Sequence, residues 1–252
     1  MPVGNGCDFY TGAGDISALL EITAGSVVSV VGCGGKTSLI ELISMHNSDK
    51  KVLISPTTKT FPMVSDRVML NDTLENCIKH KPQIGVQCLG IYNSKNKKLE
   101  ALPGDILADM VPDYDIVLIE ADGSRWLPCK GWRDNEPVIP SYSTLTVGVV
   151  TMSALGKAAT AETVHHLPEF LALTGLKEGE IITNQVLEDM VCLPGGMFKD
   201  SAGHQYLLVN RVEDESTIKE TKLFLKRIKE KYPNRFKRLI YGSVHSNEWH
   251  EV

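Results

Sequence analysis

The sequence predicts an α/β fold with a mostly parallel sheet and helices on both faces. Short apolar runs, typical of strands buried on both sides, alternate with amphipathic segments that have helical spacing. A glycine-rich turn joins the first of these runs to a helix that begins with Lys36 and Thr37. Acidic residues follow a later apolar run, at the edge of a parallel sheet where ligands bind.

The strongest functional motif lies in residues 27–38, which read VVSVVGCGGKTS. The glycines let backbone N–H groups point into one concavity, where the helix N-terminus and Lys36 add positive charge. Thr37 stands where a P-loop hydroxyl binds Mg²⁺. We therefore expect a P-loop NTPase-like fold with a nucleotide at this turn. The residues expected to line this part of the site are Gly32, Cys33, Gly34, Gly35, Lys36, Thr37 and Ser38.

The motif departs from the strict P-loop pattern. The strict pattern has glycine where this chain has Val30, so Gly32 and Gly34 must shape the loop instead. The alternative is an ordinary glycine-rich turn between a strand and a helix, with Lys36 exposed to solvent.

Composition limits the partners that we expect. The chain has 252 residues, a formal net charge of −5 and 42% hydrophobic residues. This length and apolar content suit one domain over residues 1–252. The negative charge disfavours nucleic acid and anionic membranes as partners and favours small molecules or proteins. Neither a secretory signal nor a membrane span is evident in the sequence, so we predict a cytoplasmic protein.

The six cysteines have no paired spacing, which argues against a zinc site and a disulfide framework. We expect most of them to be buried as small hydrophobic side chains. Cys33 is the exception, because a helix N-terminus and Lys36 nearby would favour its thiolate.

The first half of the chain is expected to form a helix over residues 15–24, capped by Asp15, and strands that include residues 52–55 and 84–92. A short helix is expected over 74–80, and residues 93–102 are expected to turn back into an edge strand. Thr58 and Lys59 follow the strand at 52–55 and would lie at the ligand-binding rim. An ordinary loop before the next helix is the alternative.

The second informative stretch is residues 114–132, YDIVLIEADGSRWLPCKGW. A strand at 116–119 ends in Glu120 and Asp122, where P-loop proteins place the acidic residue that serves Mg²⁺ or the attacking water. A strand end followed by a plain turn is the alternative. Arg125 in the same loop has the planar geometry for contacts to phosphate. Trp126 and Trp132 in the same stretch are expected to pack within the loop, and a stacking platform is the alternative.

The remaining chain completes the expected sheet with strands at 145–150, 206–211 and 238–244, the last of which should close it. Residues 155–201 lack the strand pattern, and we interpret them as a small helical insertion, with one helix that ends at Gly175 and another that is capped at Thr183 or Asn184. A long helix within 212–232 is expected to bury Leu223, Leu225 and Ile228. His165 and His166 have no third ligand nearby and suggest structural or exposed histidines.

Several motifs occur in a fixed order: VVGCGGKTS, SPTTKTF, LIEADGSRWLPCKGW and EPVIP. In this set the chain resembles the YqeC family of selenium-dependent hydroxylase accessory proteins, over most of residues 25–215. The resemblance implies a P-loop NTPase-like fold and an accessory function in maturing selenium-dependent molybdenum hydroxylases. By position it assigns the phosphate contacts to the glycine motif, a second motif to Thr58 and Lys59, and a third to Glu120, Asp122 and Arg125.

One further likeness concerns Asn210 and Glu213, which resemble the guanine-reading motif of GTPases. Arg211 replaces the lysine that would pack under the base, and Glu213 is one methylene longer than the usual aspartate. ATP and GTP therefore both remain open as the nucleotide.

The residues support two main functional hypotheses. The first is a Mg²⁺-dependent NTPase with Lys36, Glu120, Asp122 and Arg125 as catalytic residues and Thr37, Asp122 and Glu120 around the metal. The second is a chaperone that binds a nucleotide or the molybdenum cofactor without turnover and acts on a molybdenum hydroxylase. A third, minor hypothesis makes Cys33 a carrier of selenium or sulfur.

Overall fold

A computed structural model describes residues 15–61, 68–71 and 73–252 of the chain. Its centre is a nine-stranded sheet, and the prediction of an α/β fold is confirmed. Eight of its strands run parallel and the ninth, at one edge, pairs antiparallel with its neighbour. The strand order is compatible with a P-loop NTPase-like architecture.

The strands, in chain order, are β1 (Ser26–Gly32), β2 (Lys51–Pro56), β3 (Val68–Asn71), β4 (Gly85–Leu89), β5 (Ile91–Asn93), β6 (Lys98–Glu100), β7 (Ile116–Glu120), β8 (Cys129–Lys130), β9 (Leu145–Thr151), β10 (Val164–His165), β11 (His204–Asn210), β12 (Arg238–Ser243) and β13 (Glu248–Glu251). The helices are α1 (Ile16–Leu19), α2 (Lys36–His46), α3 (Leu74–Lys79), α4 (Gly104–Met110), α5 (Leu167–Thr174), α6 (Asn184–Cys192) and α7 (Glu215–Lys231), with short 3₁₀ turns at Val111–Asp113 and Met152–Ala154.

The central sheet has the order β13-β12-β11-β9-β1-β7-β2-β4-β3, so β1 lies in its middle between β9 and β7. Two small ribbons, β5 with β6 and β8 with β10, lie outside it. Register brings Val30 of β1 and Pro56 of β2 opposite Glu120 at the end of β7. The carboxyl ends of these three neighbouring strands therefore lie at one level, where the loops that follow them meet.

Alternate residues of the sheet enter two separate cores, one on each face. Val28 and Leu118 pack on the face that α1 and α2 cover, together with Ile40. Val31 and Ile119 pack on the opposite face, with residues of α5, α6 and α7. Because both faces are buried, the strands are continuous apolar runs, which explains why they could be recognised in the sequence.

Several boundaries differ from the prediction. The helix that begins at Asp15 is confirmed with this residue as its N-cap, but it ends at Leu19, far short of residue 24. The run at 84–92 is two strands, β4 and β5, because the chain passes from the central sheet into a separate hairpin at Gly90. The segment at 93–102 turns back into a strand as predicted, and this strand, β6, pairs with β5 in that hairpin and not with the central sheet.

Two further corrections concern the end of the chain. The strand at residues 238–243 does not close the sheet, since β13 adds an antiparallel edge beyond it. In α7, Leu225 and Ile228 are buried as expected, but Leu223 is 49% exposed. Thr221, Phe224, Leu225 and Ile228 have the spacing of one helical face, and Leu223 falls outside it.

The predicted helices with a stop at Gly175 and a cap at Thr183 are confirmed as α5 and α6. Their buried residues belong to the same core as β1 and β7. The single-domain organisation with a helical insertion stays a prediction. Within the described residues, every helix is too short or too polar to cross a membrane.

Replacement of Leu118 by alanine tests the central position of β7. Leu118 is fully buried and lies between Val28 and Ile54 of the neighbouring strands. Because the lost side chain leaves a cavity at the centre of the sheet, we expect Leu118→Ala to lower the free energy of unfolding by about 2–5 kcal/mol in urea titrations. The matched control Leu223→Ala, at an exposed helix position, should change it by less than about 0.5 kcal/mol. Similar losses for the two variants would contradict this assignment of the core.

Candidate functional site

The glycine loop, residues 32–35, joins β1 to α2 and needs glycine for two reasons. Gly32 and Gly35 have φ angles of 97° and 125°, which other residues rarely adopt. A Cβ atom at Gly32 would lie 2.3 Å from the carbonyl oxygen of Val149, and one at Gly35 would lie 2.3 Å from Nδ2 of Asn210. In the described structure no side chain caps the N-terminus of α2. Its first N–H groups are therefore available to an anion.

Lys36 points inward beneath this loop and is 3% exposed. Its Nζ atom donates to the carbonyl oxygen of Gly32 at 2.7 Å and lies 3.2 Å from Oδ1 of Asp122 and 3.9 Å from Oε1 of Glu120. Burial alone would lower the pKa of Lys36, but the two carboxylates raise it above its ordinary value. Lys36 is therefore not exposed to solvent, as the alternative of an ordinary turn expected.

Asp122 is fully buried and holds the centre of the site. The N–H of Gly32 donates to its Oδ1 and Oδ2 at 3.2 and 3.1 Å, and Nε1 of Trp132 donates to Oδ2 at 2.7 Å. Burial by itself would raise the pKa of Asp122, but Lys36 and Lys130 hold it below its ordinary value. Both oxygens are thus occupied, and Asp122 is poorly placed to bind a metal directly.

Lys130 is a member of the site that sequence reasoning did not assign. Its side chain is fully buried, and Nζ donates to the carbonyl oxygen of Gly123 at 2.6 Å. It also lies 3.5 Å from Oδ2 of Asp122 and 2.8 Å from Oε2 of Glu136. Its place in the segment LPCKGW, soon after the acidic residues, could have suggested a role in the site. Its pairing with Asp122, however, depends on how the loop after β7 folds back, which the sequence does not show.

The charge pattern continues from Glu136 to His166, whose Nδ1 lies 3.4 Å from Oε2 of Glu136. Burial is the main cause that lowers the pKa of both His165 and His166, to about 3 for His165. Their rings contact each other with centroids 3.8 Å apart. This arrangement is consistent with the structural histidines that the sequence suggested.

Glu120, the last residue of β7, contacts the first turn of α2 beside the glycine loop. The Thr37 hydroxyl and the Thr60 hydroxyl each donate to its Oε2 at 3.1 Å. Burial raises the pKa of Glu120 above its ordinary value, although Lys36 and both hydroxyls act in the opposite direction. Sequence reasoning missed Thr60, although it stands directly after Lys59 in the threonine-rich motif.

The paired oxygens of Thr37 and Glu120 fit a Mg²⁺ ion that is held largely by phosphates and water. Mg²⁺ prefers oxygen ligands and commonly binds through one or two carboxylates plus substrate phosphates. The described residues contain no cluster of three or more His, Cys, Asp or Glu side chains that would form a complete metal site by themselves. The donors therefore suit a metal that arrives with a nucleotide.

Thr58 and Lys59, the second predicted motif, have different surroundings in the structure. Thr58 lies in the loop after β2, and its buried Oγ1 has no hydrogen-bond partner among the described residues. The Nζ atom of Lys59 pairs with Oε1 of Glu100 at 2.9 Å. The structure thus gives Lys59 a partner in the β5–β6 hairpin.

The loop after β7 carries Arg125 and Trp126 on the surface. Both have left-handed backbones, with φ angles of 50° and 61°. Trp126 is 85% exposed and stacks on Phe61 with ring centroids 5.3 Å apart, so the expectation that it packs within its own loop is wrong. Arg125 is exposed and directly follows Ser124, whose Oγ lies 3.4 Å from Nζ of Lys36.

Cys33 does not have the reactivity expected from its position. It is fully buried, and its Sγ donates to the carbonyl oxygen of Pro128 at 3.0 Å. Burial raises the pKa of the thiol to about 12, which outweighs the effect of Lys36. The expected thiolate is therefore wrong. The other described cysteines are buried as predicted, while Cys7 lies outside the described residues.

Asn210 and Glu213 lie at the carboxyl end of β11, where Asn210 reaches the glycine loop. Its Nδ2 donates to the carbonyl oxygen of Gly34 at 2.8 Å. Glu213 is exposed and accepts a hydrogen bond from Oγ of Ser243 at 2.5 Å. Asn210 thus contacts the loop that is predicted to bind phosphate. Ser38, the last residue of the predicted glycine motif, is exposed on the first turn of α2.

Replacement of Asp122 by asparagine tests the buried charge cluster. The change keeps the shape of the side chain but leaves Lys36 and Lys130 buried with one counter-charge fewer. We expect Asp122→Asn to lower the free energy of unfolding by about 3–5 kcal/mol. Urea unfolding followed by circular dichroism measures this loss. The control Asp134→Asn, on the surface of a nearby loop, should change it by less than about 0.5 kcal/mol, and equal losses would refute the cluster.

The raised pKa of Glu120 predicts a pH dependence of known sign. The folded protein favours the protonated carboxyl, so its contribution to stability is complete below the ordinary pKa of 4.5 and is lost as pH rises through the higher folded value. The wild type should therefore lose stability relative to Glu120→Gln as the pH rises from 4.5 to 8. Unfolding free energies of both proteins across this range provide the measurement. A constant difference, or a relative gain by the wild type, would contradict the prediction.

Two comparisons with known proteins agree with the sequence resemblance. The model of the family described as "YqeC protein" matches residues 28–168, which include the glycine loop, Glu120, Asp122 and Lys130. A protein of Escherichia coli (strain K12), described as "Uncharacterized protein YqeC", is 32% identical over 188 residues, covering 69% of this chain and 71% of that protein. The chain therefore belongs to the YqeC family.

Proposed function

We propose that this protein binds a nucleoside triphosphate with Mg²⁺ at the glycine loop and hydrolyses it. The observation that carries the proposal is the contact between Thr37 and Glu120, which sets a hydroxyl and a carboxylate together beside the loop and the buried Lys36. An ordinary strand-to-helix turn has no need for a lysine and two carboxylates buried beneath it.

Lys36 is the residue that changes partners when phosphate binds. In the structure its Nζ contacts the carbonyl oxygen of Gly32 and the carboxylate of Asp122. Because α2 offers uncapped N–H groups at the same place, a phosphate oxygen can replace the carbonyl as an acceptor for Lys36. The ammonium then stabilises negative charge on the β- and γ-phosphates without needing to enter from solvent.

Thr37 and Glu120 would hold the metal, Thr37 through its hydroxyl and Glu120 through bound water. When bound, Mg²⁺ supplies charge neutralisation on the phosphate oxygens. Asp122 acts as a positioning residue, because it fixes Gly32 and both buried lysines. Arg125 is proposed to contact the phosphate chain from the exposed loop beside Ser124.

A binding protein without turnover is the second candidate, and one observation favours it. Asp122 is saturated by its partners, and burial raises the pKa of Glu120. The described site therefore has no unengaged, readily ionised carboxylate to orient an attacking water. In that case the protein would act as a chaperone for a nucleotide or for the molybdenum cofactor.

The biological setting is proposed from the family resemblance. We place the protein in the cytoplasm, as an accessory factor in the maturation of selenium-dependent molybdenum hydroxylases. Its partners would be the nucleotide and such a hydroxylase or its cofactor. Direct handling of selenium by Cys33 is disfavoured, since its buried thiol has a pKa of about 12.

Calorimetric titration with ATP, GTP and their diphosphates, with and without Mg²⁺, tests the proposal. We expect Lys36→Met to weaken nucleotide binding by about 10- to 150-fold, because it removes a charge-assisted hydrogen bond to phosphate. Thr37→Ala keeps every buried charge and should lose most of the Mg²⁺-dependent gain in affinity. The exposed Lys219→Ala is the matched control for a lost positive charge.

The outcomes separate the two candidates. Phosphate release by the wild type and its loss in Lys36→Met would support hydrolysis. Tight Mg²⁺-dependent binding with no phosphate release, even with the client hydroxylase present, would favour the chaperone. Unchanged affinity in both folded variants would overturn nucleotide binding at this loop.

A further inference from the structure

Asn210, at the carboxyl end of β11, forms hydrogen bonds to the glycine loop and to the segment that follows β12. Its Nδ2 donates to the carbonyl oxygen of Gly34 in the glycine loop, and its Oδ1 accepts from the N–H of Val244 at 3.0 Å, just after β12. Asn210 itself ends β11 and is 3% exposed. The amide therefore holds the ends of β11 and β12 in a fixed position relative to the glycine loop.

The hydroxyl of Ser243 holds the carboxylate of Glu213 in place, and the direction of its proton follows from a second hydrogen bond. The N–H of His245 donates to Oγ of Ser243 at 3.1 Å, so this oxygen acts there as an acceptor. The hydroxyl proton of Ser243 is then directed to Oε1 of Glu213 at 2.5 Å. Since Oε2 has no hydrogen-bond partner among the described residues and the side chain is exposed, Glu213 presents an oriented carboxylate to solvent.

The position of this carboxylate relative to the glycine loop suits a nucleotide. In the sheet, β9 separates β1 from β11, and β12 follows β11. Glu213 follows β11 and contacts Ser243 of β12, so two to three strand spacings, or about 10–15 Å, separate it from β1. This is the scale of the reach from the phosphates across the ribose to a base. Arg211 is exposed at the same end of β11, and a guanidinium can stack on the face of an aromatic base.

We propose that Glu213, positioned by Ser243 and Asn210, selects a ring with a 2-amino-4-oxopyrimidine edge, above all the base of a guanine nucleotide. This inference rests on the proposed function of the glycine loop. The carboxylate accepts hydrogen bonds from two adjacent donors, the ring N–H and the exocyclic amino group of guanine. Adenine presents a ring nitrogen lone pair next to its amino group, so the carboxylate would repel it. Phosphorylated pterins share the guanine edge and are the second source of this chemistry.

The test compares GDP, ADP, a pterin phosphate and XDP, the diphosphate of xanthosine, by calorimetry on the full chain. Adenine cannot form the charge-assisted hydrogen bonds that guanine forms with Glu213. We therefore expect the wild type to bind GDP about 10- to 150-fold more tightly than ADP. Glu213→Gln should weaken GDP binding by a similar factor and improve XDP binding, because the amide N–H₂ matches the second oxygen of xanthine. Glu215→Gln, exposed two residues away on α7, is the matched control.

The results separate this inference from the proposed function. Lys36-dependent binding of GDP and ADP with equal affinity, or a Glu213→Gln variant with unchanged preferences, would overturn the guanine inference alone. Failure of every nucleotide and of the pterin phosphate to bind would overturn both. Tighter binding of the pterin phosphate than of GDP, lost in Glu213→Gln, would retain the recognised edge and identify a pterin as its source.

Discussion

The structure of the site depends on the ion pair between Lys36 and Asp122 beneath the glycine loop. Both side chains are removed from water, a state that is costly unless each charge is paired and hydrogen-bonded. Gly32 meets this requirement from both ends, because its N–H donates to Asp122 and its carbonyl accepts from Lys36. Gly32 is thus fixed both by the loop that follows β7 and by the first residue of α2.

This pairing has a consequence for phosphate binding. Asp122 compensates the ammonium before any ligand arrives, and Lys130 compensates the remaining charge of Asp122. A phosphate group then enters a site where the positive charge is already positioned, so little reorganisation is needed. The parallel sheet extends this arrangement to both sides of β1: Glu120 at the end of β7 faces the start of α2, and Asn210 at the end of β11 reaches Gly34.

Much of this arrangement could be predicted from the sequence, since it depends on local motifs. The glycine motif, the acidic residues after β7 and the likeness at Asn210 all lie at strand ends, and parallel strands bring such ends to one edge. Contacts that depend on the return of a loop could not be predicted. Lys130 pairs with Asp122 only because the intervening segment folds back, and Ser243 meets Glu213 only because β12 lies beside β11.

The errors have similar physical causes. Cys33 was assigned a favoured thiolate from the nearby charge, but complete burial dominates its pKa. The ion pair between Lys59 and Glu100 could not be expected either, because Glu100 belongs to a separate hairpin. Leu223 was assigned to the core because it is apolar, although helical periodicity places it on the exposed side.

Hydrogen exchange of the backbone amides, followed by mass spectrometry with and without Mg²⁺ and a nucleotide, tests the central claim most directly. If the glycine loop and the start of α2 bind phosphate through their N–H groups, the amides of residues 34–37 should exchange markedly more slowly in the complex. The exposed amides of the β5–β6 hairpin should remain unchanged. A nucleotide that binds tightly yet leaves residues 34–37 unprotected would contradict the account.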